Sequence, residues 1–185
     1  MFESEFLIGL QCACSAQHAE TVAPASSEIL QPMYAQSSVW VAISPRLPED
    51  FSDSPESIAA QFSKWMLPQA REAMYSPGVV TAVQGMAEAK KNGSDYLIML
   101  ELEKWKSPSL SGPSHEASLL IKVTEVSTGE VLMQSDLNAT CYLMAVVVGM
   151  STRECIRPEV NKWKEHAFKP KKVSVHTNSE PERSK

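Results

Sequence analysis

A chain of 185 residues, 43% apolar and 21% charged, has the balance of one globular domain with peripheral segments, which excludes a wholly disordered or collagen-like polypeptide. The net charge of -5 is unevenly spread: Lys169–Lys185 holds five basic and two acidic residues, leaving twelve basic and twenty acidic residues before it. An acidic body repels phosphate, which argues against nucleic acid as a partner, and the longest apolar run, Cys141–Met150, falls short of the roughly 18 residues that a spanning helix needs.

At the N-terminus, Phe6–Leu10 is apolar and runs into Cys12, but Glu3 and Glu5 stand where a secretory signal carries positive charge. The segment is either a shortened signal whose Cys12 accepts a lipid anchor or a flexible leader. Residues 1–36 are accordingly read as leader, 37–168 as one domain and 169–185 as a disordered basic tail. The first core element is a strand over Ser38–Ser44, rich in β-branched and aromatic residues and stopped by Pro45 and Pro48. Ser54, Pro55 and Glu56 then open a helix as cap, first residue and dipole partner. Ile58, Phe62, Trp65, Met66 and Ala73 continue it at helical spacing, with a kink near Pro68. Pro77-Gly78 reads as a turn, Val79–Val83 as a second strand, and Gln84–Asn92 as a short helix closed by Gly93.

The second half alternates. In Asp95–Trp105, Tyr96, Ile98, Leu100 and Leu102 share one face, with Met99, Glu101 and Glu103 on the other. Lys106–Glu116 reads as a loop, Ala117–Val126 and Val131–Ala139 as strands joined by a turn at Ser127–Glu130, and Arg157–Phe168 as a terminal helix begun by Pro158 and ended by Pro170. Cys141–Met150 reads as a buried strand or helix. The fold class is α/β, a mixed α+β sheet in the order β-α-β-α-β-β-β, with helices packed on it and one helix at the C-terminus.

Cys12, Cys14, Cys141 and Cys155 lack zinc-site spacing, and no metal or cofactor is expected. Cys141 and Cys155 are either a disulfide or buried free thiols. No phosphate-binding or dinucleotide glycine pattern occurs. His115 reads as an exposed loop residue. A base or ligand role would need it to converge with Glu101 in a pocket, as in a small hydrolase or ligand-binding protein. Glu101 and Glu103 share a strand face, either as an acid/base pair or as plain surface charge. Trp40 and Trp65 belong to the core. Trp105 either closes the end of that core or stands half-exposed as an anchor for a partner.

The segments Asp95-Tyr96-Leu97, Trp105, Ser111-Gly112 and Thr128-Gly129 with Val131 resemble the DUF4823 family of bacterial lipoproteins over roughly Ser38–Asn138. The layout is also similar to the small α/β domains of periplasmic assembly lipoproteins, such as the curli-secretion channel protein family and the outer-membrane activators of peptidoglycan synthases. The resemblance implies a periplasmic or outer-membrane location facing the periplasm, a non-enzymatic accessory role and a protein partner. Without a working signal segment the location would be cytoplasmic. The expected contact patch is Trp105, Leu110 and His115. The alternatives are a structural domain that self-associates and a small hydrolase or ligand-binding protein using Glu101 and His115.

Overall fold

A computed structural model describes residues 28–29, 31–107, 114–142 and 151–170. Its elements are β1 Glu28–Ile29, β2 Met33–Tyr34, β3 Ser38–Ile43, α1 Pro55–Met66, β4 Glu72–Val79, α2 Ala82–Lys91, β5 Tyr96–Lys106, β6 Ser114–Glu125, β7 Val131–Tyr142, α3 Thr152–Ala167 and β8 Phe168–Lys169. From β3 to β7 the chain follows the expected β-α-β-α-β-β-β order, with α3 after it. The strands form one mixed sheet in the order β1-β7-β6-β5-β3-β4, and β2 pairs with β8 as a separate parallel pair.

Strand β3 is parallel to both neighbours: Val41 lies opposite Tyr75 of β4 and Ile98 of β5. The chain steps from β3 outward to β4, then back across β3 to β5. Right-handed crossovers in opposite directions place their helices on opposite faces. One face carries α1 and α3 over Val39, Val41, Ile43, Ile98, Leu100 and Ile121. The other carries α2 over Trp40, Ala42, Leu97 and Met99. Strand β3 is therefore buried on both faces, and its unbroken apolar run is the sequence of a doubly covered strand. Beyond it, β5, β6 and β7 form the antiparallel meander, turned at Gly129 with φ 77°.

Caps fix the helix starts. The Ser54 hydroxyl accepts from the Ser57 amide at the head of α1. Thr81 and Gln84 form a reciprocal capping box on α2. The first helix ends at Met66, so the expected continuation to Ala73 is corrected: Glu72–Val79 is strand β4. The expected strand Val79–Val83 is instead the end of β4 and the start of α2. Pro77-Gly78 is no turn between elements but part of a bulge, where Ala42 of β3 faces Ser76, Pro77 and Gly78 of β4. The missing proline donor is tolerated because β4 is at the sheet edge. The last helix begins at Thr152, not at Arg157, and Pro158 lies inside it. The packed body also reaches further towards the N-terminus than residue 37: β1 pairs with β7, and Met33 of β2 is in the core. Residues 171–185, assigned to the tail, lie outside the described residues, as does Cys12.

Helices α1 and α3 meet through Phe62, whose ring lies 6.0 Å from Trp65 and 6.1 Å from Trp163. Beside them Lys164 is buried, and its Nζ donates to the Trp65 carbonyl at 2.5 Å. That carbonyl is in the last turn of α1, where intrahelical donors run out, so the amine acts as a cap supplied from another helix. Burial, with a smaller contribution from the Arg157 charge, lowers the Lys164 pKa below its usual 10.5. The unfolded chain therefore holds this proton at higher pH than the folded one, and stability rises as pH climbs from the lowered value towards 10.5. Urea unfolding of wild type and Lys164→Met at neutral pH and at pH near 10 is expected to show wild type gaining on the variant as pH rises. A difference that stays flat refutes the assignment.

Candidate functional site

Two of the three residues expected to form a contact patch meet at one end of the molecule, but inside it. Trp105, near the end of β5, lies across the ladder from Ala117, two positions from His115 on β6. Both pack under the start of α3. Trp105 is 3% exposed and donates from Nε1 to Asp53 Oδ2 at 3.3 Å, so it closes the core end and is not half-exposed. His115 is 5% exposed and belongs to a strand, which corrects the exposed loop position expected for it. Leu110 lies outside the described residues.

The node is polar and closed. The His115 Nδ1 stands 3.0 Å from the Thr152 hydroxyl, which donates to the Lys106 carbonyl and lies 3.2 Å from the Ser107 hydroxyl. A hydroxyl has one proton. With that proton on the carbonyl, Thr152 accepts from the histidine, whose Nδ1 then carries hydrogen. Next to it, Arg153 Nε meets Asp53 Oδ2 at 3.4 Å, and its Nη1 donates to the Ser57 hydroxyl at 2.5 Å, tying α3 to the head of α1. Ser151 caps α3 by accepting from the Glu154 amide. Asp53, Ser107, Thr152 and Arg153 were not singled out from sequence. The pattern Ser151-x-x-Glu154 was the available signal, a capping box partly hidden behind the apolar run before it.

A disulfide joins Cys141 to Cys155, with Cα atoms 5.8 Å apart. Cys141 is opposite His115 on β7, and Cys155 is in the first turn of α3, so the bond fastens the helix to the sheet at this node. It settles the choice left open between a bridge and free thiols. Part of the run Cys141–Met150 is strand, Cys141 and Tyr142 ending β7, and residues 143–150 lie outside the described residues.

The proposed pairing of Glu101 with His115 does not form. His115 shares the α3 face with Ala117 and Leu119, whereas Glu101 shares the opposite face with Leu97 and Met99. Glu101 pairs with Arg46 at 3.4 Å, and Glu103 accepts from the Ser118 hydroxyl. They border a recess of about 360 Å³ with Arg46 and Leu120. On the same face Glu116 pairs with Lys104, whose hydrogen bond and charge hold that carboxyl below its usual range. A recess of about 550 Å³, at the start of β3 and β5, is lined by Ser94, Asp95, Tyr96 and Glu125. Asp95 is occupied there, accepting from the Ser38 amide and hydroxyl at 2.7 and 3.0 Å. Among the described residues no cluster of three or more metal-binding side chains occurs, and no helix is long and apolar enough to cross a membrane.

No family model and no curated relative matches the chain. Its fold is similar to that of the PelC dodecamer from Paraburkholderia phytofirmans, with a TM-score of 0.60 and 11% identity over 78% of this chain and 96% of that one. A single-substitution variant of PelC from the same organism gives 0.59 and 13% identity, covering 74% and 94%. A more distant likeness is to lipoprotein GNA1162 from Neisseria meningitidis, at 0.41 and 12% identity over 70% and 99%. At these identities the PelC likeness establishes a common fold.

The disulfide encloses a loop with a sequence separation of 14. Replacing both cysteines (Cys141→Ser with Cys155→Ser) is expected to lower the unfolding free energy by about 3 kcal/mol, the chain-entropy value for a loop of roughly 15 residues. Urea titrations with and without reductant check this: reductant should bring wild type down to the variant and leave the variant unchanged.

Proposed function

We propose that this chain is a non-catalytic accessory domain of the bacterial cell envelope that acts by binding protein. The observation that carries the proposal is the Cys141–Cys155 disulfide, since bridges of this kind persist in oxidising compartments and are rare in a reducing cytosol. The PelC-like fold supports it, and so does the use of the polar residues. The best placed histidine and hydroxyl, His115 and Thr152, hold α3 in place, and Glu101 lies on the far side of the sheet from them. In this account the domain is a DUF4823-like envelope protein facing the periplasm, held to the membrane through Cys12 if that residue carries lipid.

A second reading, self-association, draws on two observations. The PelC neighbour was solved as a dodecamer. Strand β4 forms an edge of the sheet and exposes Tyr75 and Val79 beside its open backbone groups. An unprotected edge invites a further strand, although Pro77 limits how far such pairing can run.

Alkylation and mass spectrometry of the protein from its own cells test the location. The expected result is a Cys141–Cys155 bridge in the envelope fraction, and reduced thiols in the cytosolic fraction would overturn the proposal. Crosslinking in intact cells followed by native mass spectrometry tests the mode of action. A defined complex with another protein supports the first reading, a ring or dimer supports the second, and a monomer that captures nothing removes both.

A further inference from the structure

The two faces of the sheet are unequally covered. Helices α1 and α3 lie on one face, but α2 alone lies on the other, over β3 and β5. Beside α2 runs an open groove of about 530 Å³ whose floor is Leu97 and Met99 and whose far side reaches Val131 beyond the β6–β7 turn. Helix α2 has two stripes of residues with different surroundings. Gly85 and Ala89 are buried against the sheet, and a Cβ at Gly85 would stand 3.1 Å from Met99 Sδ, so this side is closely seated. Val83, Met86, Ala87 and Lys90, spaced i, i+3, i+4 and i+7, line the groove instead. Val83 is 80% exposed, which leaves an apolar stripe in water.

Charge says what fits there. On this face Arg46 and Lys104 are neutralised by Glu101 and Glu116. Lys90 and Lys122, both exposed at the groove, have no ion pair among the described residues. Two unpaired cations beside an apolar floor suit an apolar helix face bordered by carboxylates. Methionines at 86 and 99 give the wall and floor side chains that adapt to a partner's shape.

We infer that this groove is the protein-binding site of the domain and that its occupant is an acidic amphipathic helix of a partner protein, lying along the groove beside α2. The inference rests on the protein-binding function proposed above and specifies the surface and the chemistry of the partner.

Two synthetic helical peptides with the same leucine stripe, one bordered by glutamates and one by lysines, test it against the full chain by fluorescence anisotropy, with NMR shifts locating the contact. The acidic peptide is expected to bind at least about tenfold tighter than the basic one, more weakly as salt rises, with shifts confined to α2, β5 and β6. Val83→Asp, at a site open enough to accept the change, should abolish binding without lowering the melting temperature. Lys90→Glu with Lys122→Glu should reverse the preference between peptides. Equal binding of both peptides, shifts elsewhere, or indifference to both variants overturns the inference. A photo-crosslinker at position 83 in cells separates the two levels. If it stays silent while one at position 75 on β4 captures protein, the groove is refuted and the binding function stands. If neither position captures protein, both fall.

Discussion

Everything in this molecule is hung on the burial of β3 from both sides. A strand with Val39, Val41 and Ile43 on one face and Trp40 and Ala42 on the other must be covered twice. Two crossovers that leave it in opposite directions provide that cover, one helix to each face. The strand is also pinned at its start, where the Asp95 carboxylate accepts from both the amide and the hydroxyl of Ser38. Those bonds fix the register of β3 and β5 at their starts. The price of double coverage is that α2 is committed to β3 and β5 at the centre of its face and leaves β6 and β7 uncovered. The outer half of that face, on β6 and β7, is consequently polar: Ser118, Lys122, Gln134 and Asp136 stand where apolar residues would require a further layer.

The third helix has a different task. Its partners, β6 and β7, are far from α1 in sequence, and they need a connection that local chain geometry does not supply. Three kinds of bond provide it at one end: the Cys141–Cys155 bridge, the Thr152 hydroxyl with His115 and the Lys106 carbonyl, and the Arg153–Asp53 pair. At the other end of α3 the Lys164 amine caps α1. The polar groups that most resemble chemistry from a distance thus hold a helix in place, which accounts for the burial of His115, Thr152 and Lys164.

The elements with an unambiguous period were legible from sequence. The meander alternates once past the start of β5, and its inward set Tyr96, Ile98, Leu100, Leu102 is the set found in the core. The caps of α1 were equally plain. Strand β4 was hidden because an edge strand has little reason to alternate: Met74, Tyr75 and Val79 are only partly covered, and Pro77 with Gly78 imitates a turn. The helical spacing of α1 also continued by accident to Ala73. The start of α3 was masked by Pro158, which suits a first turn but lies inside the helix. The two-residue strands β1, β2 and β8 are too short to carry any period, and only their pairing partners define them. For the node around His115, its partner Thr152 lies 37 residues away, on an element whose start was misplaced, so no local signal could have revealed the contact.

What separates a surface built for solvent from one built for a partner is the company its charges keep. Around the ends of β5 and β6, two bases and two acids are matched: Arg46 with Glu101, Lys104 with Glu116. A matched surface gains little from a charged visitor, since each new pair must first break an old one. Beside α2 the matching stops while the apolar area begins. Burying Val83, Met86 and Ala87 supplies the non-directional part of an interaction, at about 25 cal/mol for each Å² removed from water. Lys90 and Lys122 add direction, because they favour one sign of partner and disfavour the other. At the node, in contrast, Trp105, His115, Thr152 and Cys155 are buried, and Arg153 is already paired with Asp53. In this fold the rigid end and the receptive face are different places, and the first keeps the sheet in shape for the second.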